Sequence, residues 1–279
     1  MRRFRHLLLL LFTAGLMLPV LALLGVWLPW GARDGQAAQI LTEMAHTVLP
    51  DYALTSLWLC LLVAAGVIVI GLSSAVAVTL FDFAGRRVFE WALLLPLAMP
   101  AYVVAYAYTD FLQYSGPLQT WLRSTTGLQG RLFPEIRNVA GAAWVLTFAL
   151  YPYVYLLART ALGERAAHLM EAARLLGAPL SRRIREVALP LARPAVVTVA
   201  LLTFITSWNQ FQWPLIMTTS HSVQPIEIAL SHYMQTFEAN WRKLTSAVLL
   251  ALAPIVIVFL LLQRYIVDGV AGRDSGVNA

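Results

Sequence analysis

Residues 170–193 read MEAARLLGAPLSRRIREVALPLAR, and Arg174, Arg182, Arg183, Arg185 and Arg193 all fall within this one stretch. Leu169, Ala172, Ala173 and Leu176 recur at i, i+3, i+4 and i+7, which places them on one face of a short helix. Glu171 near its start suits the helix dipole, and Arg174 is in reach at i+3. Gly177 breaks the pattern with Pro179 just beyond, the composition of a helix end. Ser181 is placed to cap a second short helix over residues 182–189, which Pro190 terminates. Two short charged helices meeting at a glycine and sharing a small apolar face must pack on something.

The sequence around this island is apolar. Of 279 residues 59% are hydrophobic and only 12% charged, with a mean hydropathy of +0.71. Soluble domains carry about 25% charged residues, so the composition predicts a membrane protein. Six runs are long enough to span a bilayer: residues 7–30, 55–80, 91–109, 139–158, 195–219 and 244–263, none with Asp, Glu, Lys, Arg or His. Residues 7–30 follow Arg2, Arg3 and Arg5 like a signal peptide but exceed a signal peptide's apolar core, so they read as a retained anchor. The expected fold is all-α, one transmembrane domain over residues 1–279 with six spans.

The arginines orient it. With the N-terminus in the cytoplasm, Arg2, Arg3, Arg5, Arg86, Arg87, Arg159, Arg165, Arg264, Arg273 and the five of the island lie inside, 14 of the 20 basic residues. Arg33, Arg123, Arg131, Arg137, Arg242 and Lys243 lie outside, and the acidic residues divide evenly. The net charge of +6 therefore records topology, and nucleic-acid binding is not needed to explain it. Outer loops are expected at 31–54, 110–140 and 220–243, inner loops at 81–90 and 159–194, with both termini cytoplasmic. Pro96, Pro100, Pro152, Pro214 and Pro254 punctuate four of the spans and predict bent helices.

Glu171-Ala172-Ala173, Gly177 and Val187-x-Leu189-Pro190 at this spacing resemble the EAA signature of ATP-binding-cassette importer permeases, the usual isoleucine being Val187 here. The resemblance implies the type I importer permease fold and a cytoplasmic coupling helix in the loop 159–194. Glu171, Ala172, Ala173, Gly177, Leu189 and Pro190 would then form or support the contact with a separate ATPase subunit dimer. It also implies a second permease subunit, identical or homologous, an extracytoplasmic solute-binding protein, and residence in the bacterial inner membrane with lipid around it. An interfacial helix lying on headgroups is the competing reading, which Arg182, Arg183 and Arg185 would suit. No catalytic residue or cofactor is expected on this chain: a phosphate-cradling loop needs GxxxxGK[ST], and the only lysine, Lys243, precedes Leu244. ATP and magnesium belong to the partner ATPase.

The likeness points two ways on substrate. Residues 95–123 resemble ferric-iron-type permeases, whereas SWNQFQWPLIMTT from Ser207 and the closing LLLQRYIVDG resemble sugar and glycerol-phosphate permeases of the maltose type. Trp208, Asn209, Gln212 and Trp213 are the solute-path candidates: 208 and 212, like 209 and 213, stand one helical turn apart, and rings beside amides suit a polyhydroxylated solute. Tryptophans can equally form an interfacial belt, and amides can tie helices together. Tyr102, Tyr106, Tyr151, Tyr153 and Tyr155 invite the same two readings. No metal site is expected, since the five histidines are scattered through the loops. An ion-coupled transporter would need ionisable groups within the spans, and an intramembrane enzyme a recognisable motif; the runs hold neither.

Overall fold

The structure, a computed structural model, describes residues 49–163, 167–210 and 241–271, together with 6, 12–18, 21–22, 42, 46, 215, 225–228 and 231. Most of the predicted first span, 7–30, lies outside the described residues, as do Gln212 and Trp213.

The described residues are helical, without strands. Helix α1 is Leu49–Leu80, α2 Arg86–Ala92, then a 3-10 turn Leu95–Ala98, α3 Ala101–Leu112, α4 Pro117–Thr126, α5 Val139–Ala161, α6 Ala167–Leu175, α7 Leu180–Arg183, a π-helical turn Ile184–Ala188, α8 Leu189–Trp208 and α9 Trp241–Ala271. Among the described residues three helical stretches are long and apolar enough to cross a membrane, Pro50–Leu80, Val139–Ala161 and Leu180–Trp208. The run 91–109 is not one straight helix, as its hydropathy suggested. Pro96 and Pro100 divide it, Met99 is extended, and the two halves meet at a bend of 100°. Proline supplies no backbone donor and restrains the residue before it, so two prolines four apart stop the helix.

Packing sets the topology. Helices α1 and α5 run in the same direction: Gly66 lies against Thr147, and Gly71 against Tyr151 and Val154. A Cβ at Gly71 would sit 2.7 Å from Val154 Cβ and 2.9 Å from the Tyr151 carbonyl oxygen. Such contacts need the small residues that let helix backbones approach within a membrane. Two parallel helices joined by residues 81–138 require the chain to return to the starting end between them, so the bent pair carries it across once. Helix α8 runs the other way, its start near Leu72 and its end against Cys60.

Most buried side chains, Val63, Val67, Leu146, Val154, Ala192 and Val199 among them, form one core between α1, α5 and α8. A second, smaller cluster gathers Cys60, Phe204, Trp208, Ile226 and Ala251 at the far end of α8. Helix α3 leans on α5 through rings: Tyr108 meets Trp144 edge-on at 5.2 Å, and Trp144 meets Phe148 at 4.6 Å. Beyond α3, buried Gln119 of α4 pins the loop C-terminal to that helix. Its Nε2 donates to the Leu112 carbonyl at 2.8 Å, and its Oε1 accepts from the Leu132 amide at 3.3 Å.

Candidate functional site

The island opens with α6, which stops as its sequence requires. Gly177 has φ +79, a conformation that L side chains adopt only at a cost. Its amide donates to the Arg174 carbonyl at 3.0 Å and that of Ala178 to the Ala173 carbonyl at 3.0 Å. These two bonds make a Schellman cap, which fixes the exit angle of the chain. The segment after the cap differs from the expected second helix over residues 182–189. Pro179, not Ser181, stands at the N-cap of α7, and no side chain caps it. Nor does Pro190 end anything: α7, the π turn and α8 run on as one rod from Leu180 to Trp208. Pro190 has no amide for the Glu186 carbonyl. The π turn absorbs this, with the Leu189 amide reaching back to Ile184.

The face predicted from the i, i+3, i+4, i+7 spacing exists. Leu169, Ala172, Ala173 and Leu176 line an open apolar groove whose other wall is Val187, Pro190 and Leu191, with Glu186 at its edge. Val187 and Leu191 were not among the predicted contact residues; their i, i+4 spacing was the available signal. Leu175 and Leu176 are 84% and 87% exposed. Glu171 is exposed, and so are Leu189 and Pro190. Among the described residues of this region Arg182 pairs with Glu186 at 2.9 Å.

One helix face ties the island's neighbourhood to the broken span. The helix break between residues 90 and 97 leaves two carbonyls without their usual helical donors. Leu94 donates to Trp91 rather than Glu90, and Leu97 to Leu94 rather than Leu93. The Tyr155 hydroxyl donates to the Glu90 carbonyl at 3.3 Å, and that of Tyr151 to the Leu93 carbonyl at 3.0 Å. One turn further on, Arg159 bonds the Glu90 carboxylate at 3.1 Å, which Arg86 also faces at 3.6 Å. Two of the five solute-path tyrosines are therefore buried ties. Tyr102, Tyr106 and Tyr153 are about half exposed. Two prolines four apart were the sequence signal that orphaned carbonyls would need such partners.

The polar patch at the end of α8 is arranged differently from the sequence expectation. The helix ends at Trp208, with Asn209 in a turn and exposed, so the run 195–219 is not one helix. The one-turn pairings 208/212 and 209/213 lose their helical basis. Trp208 is 1% exposed and stacks on Phe204 with ring centroids 6.0 Å apart. Its Nε1 and the neighbouring Ser207 Oγ are buried without a hydrogen-bond partner among the described residues.

Residues 67–272 match the family model described as binding-protein-dependent transport system inner membrane component. The sn-glycerol-3-phosphate transport system permease protein UgpE of Yersinia pestis bv. Antiqua (strain Antiqua) is 28% identical over 224 residues, 80% of this chain and 73% of that protein. The protein of the same name from Brucella abortus (strain 2308) is 28% identical over 215 residues, covering 76% and 69%. That of Salmonella typhi is 26% identical over 219 residues, covering 75% and 68%. The chain belongs to the family of binding-protein-dependent transport inner-membrane components: it is an ABC importer permease with glycerol-phosphate-type similarity.

Proposed function

We propose that this family member forms half of the translocation pathway of an ATP-driven importer that moves a glycerol-phosphate-like or carbohydrate solute into a bacterial cell. In this reading the domain is the whole chain, with six crossings and both termini cytoplasmic. A second permease completes the pathway, a binding protein delivers solute outside, and an ATPase dimer holding ATP and magnesium drives it from below. Glu171, Ala172, Ala173, Gly177, Leu189 and Pro190 shape the contact with that ATPase. The similarity to glycerol-3-phosphate permeases supports the solute class. Trp208 and Asn209, with Gln212 and Trp213 outside the described residues, are the proposed solute contacts.

The observation carrying the coupling assignment is the exposure of Leu175 and Leu176 on a rigidly capped helix beside an open apolar groove. Two adjacent leucines held in water cost free energy that a partner's cleft would recover. The rod behind them, unbroken from Leu180 to Trp208, would carry a push at the cytoplasmic end along the span. Leu176→Asp tests this by placing a charge in the contact. The tagged variant should insert normally but lose its ATPase in a mild-detergent pull-down, by roughly 2 kcal/mol or about thirtyfold in affinity. Undiminished recovery of a Walker-motif ATPase would move the contact elsewhere. Wild-type chain purified without any ATPase from transporting cells would end the importer reading.

A further inference from the structure

Residues 225–228 lie 17 positions beyond Trp208 in sequence, yet they are packed inside the helices. Pro225, Ile226 and Ile228 are buried, the two isoleucines essentially completely. Ile226 joins the cluster of Cys60, Phe204, Trp208 and Ala251. Its amide donates to the hydroxyl of buried Ser56 on α1 at 2.8 Å. The insertion is therefore anchored by one polar bond and by apolar contact.

The end of α8, whose Trp208 shares that cluster with Ile226, carries an unmet requirement. Ser207 is 2% and Trp208 1% exposed, and among the described residues neither Ser207 Oγ nor Trp208 Nε1 has a hydrogen-bond partner. Serine in a helix commonly satisfies itself on the carbonyl four residues back, and this one does not. An indole N–H can only donate, and a serine hydroxyl can donate or accept. Buried groups left unpaired this way call for an explanation, and one explanation is a second arrangement in which they are paired. The carboxyl of Glu227, between the two seated isoleucines, is pushed above its ordinary value by burial, so the seated arrangement also disfavours that charge.

We infer that residues 225–228 are a removable lid over the buried end of α8, and that Ser207 Oγ and Trp208 Nε1 bind oxygens of the transported solute when the lid lifts. Either a hydroxyl or a phosphate oxygen satisfies these donors. The inference rests on the proposed function for the word "solute", while the lid itself does not depend on the ATPase.

The test uses the full chain in nanodiscs with the subunits that accompany it, in a Cys60→Ala background. Ser207→Cys is labelled with a water-soluble maleimide. With the native lid it should react slowly; adding Ile228→Asp, which unseats the lid, should speed labelling by roughly tenfold or more, because protection follows the opening equilibrium. A Ser56→Cys, Ile226→Cys pair, oxidised to pin the lid, should restore protection, and reductant should release it. This second arm stays informative if Ile228→Asp disturbs folding. Equal labelling with the lid native, unseated and pinned overturns the lid. In the unseated form, sn-glycerol-3-phosphate should slow labelling; no effect of sn-glycerol-3-phosphate on an otherwise lid-dependent reaction overturns the solute assignment. Absence of a co-purifying ATPase would count against the importer reading alone, since the labelling contrast survives it.

Discussion

Tyr151 and Tyr155 show how much of this fold depends on single hydroxyl groups. Each spans from α5 to a carbonyl freed by the break in the neighbouring span. A side-chain hydrogen bond within a membrane contributes about 0.6 kcal/mol on average and up to about 1.7. Tyr151→Phe and Tyr155→Phe should each lower the thermal midpoint of the detergent-solubilised protein, and the double variant by their sum or more, since both act on one segment. A double variant as stable as wild type would mean water satisfies those carbonyls instead. Gly177 is a residue-scale case of another kind. Nothing lies within 4 Å of the Cβ it lacks, so space does not demand glycine there. The demand comes from its φ of +79, since left-handed backbone costs L residues roughly 1–2 kcal/mol. Asparagine tolerates that region better than β-branched residues. Gly177→Asn should therefore keep most transport activity, whereas Gly177→Val should lose it while inserting normally. Equal activity of the two variants in an uptake assay would show that the cap does not govern coupling.

At the scale of elements, the apolar runs 55–80 and 139–158 locate α1 and α5 to within a few residues, because long uninterrupted hydropathy is the strongest signal a membrane sequence carries. Residues 195–219 mislead, since a window averaged over Trp, Asn and Gln hides that this polar patch is the helix end itself. The EAA stretch is half legible. The amphipathic face and the glycine stop follow from spacing and backbone preference. The continuity through Pro190 does not, because a proline near the start of a helix and a proline ending one look alike in sequence. The tolerance of α1 for α5 is a matter of size. Gly71→Val would press its side chain on Val154 and on the Tyr151 carbonyl, and backbone yields less than a flexible side chain does. Overpacking of this sort costs about 1–3 kcal/mol. The variant should unfold earlier in a thermal scan, with Gly15→Val, where nothing lies within 4 Å, as the unaffected control.

For the whole molecule the decisive quantity is how often the chain crosses between α1 and α5. Hydropathy predicts one continuous span there, and the structure instead bends by 100°, with helices α2 and α3 of 7 and 12 residues, each too short to cross alone at about 1.5 Å per residue. A re-entrant hairpin would return to the side it left. The parallel packing of Gly66 on Thr147 and Gly71 on Val154 forbids that, and so does the pairing of Glu90 with Arg159 at the far end of α5. Helix α5 has 23 residues, about 34 Å, so residue 139 lies a membrane's thickness from Glu90. The chain must cross between them. A cysteine at exposed Gln129 and one at exposed Ser181 should then label from opposite sides, in a Cys60→Ala background that leaves no native thiol. An impermeant maleimide applied to intact cells should reach position 129 at once and position 181 only after permeabilisation. Labelling of both from outside would mean that α5 does not cross between them. Labelling of 181 alone would make the bent pair a hairpin or else invert the molecule, the latter placing the arginine-rich end outside against the charge bias that oriented it.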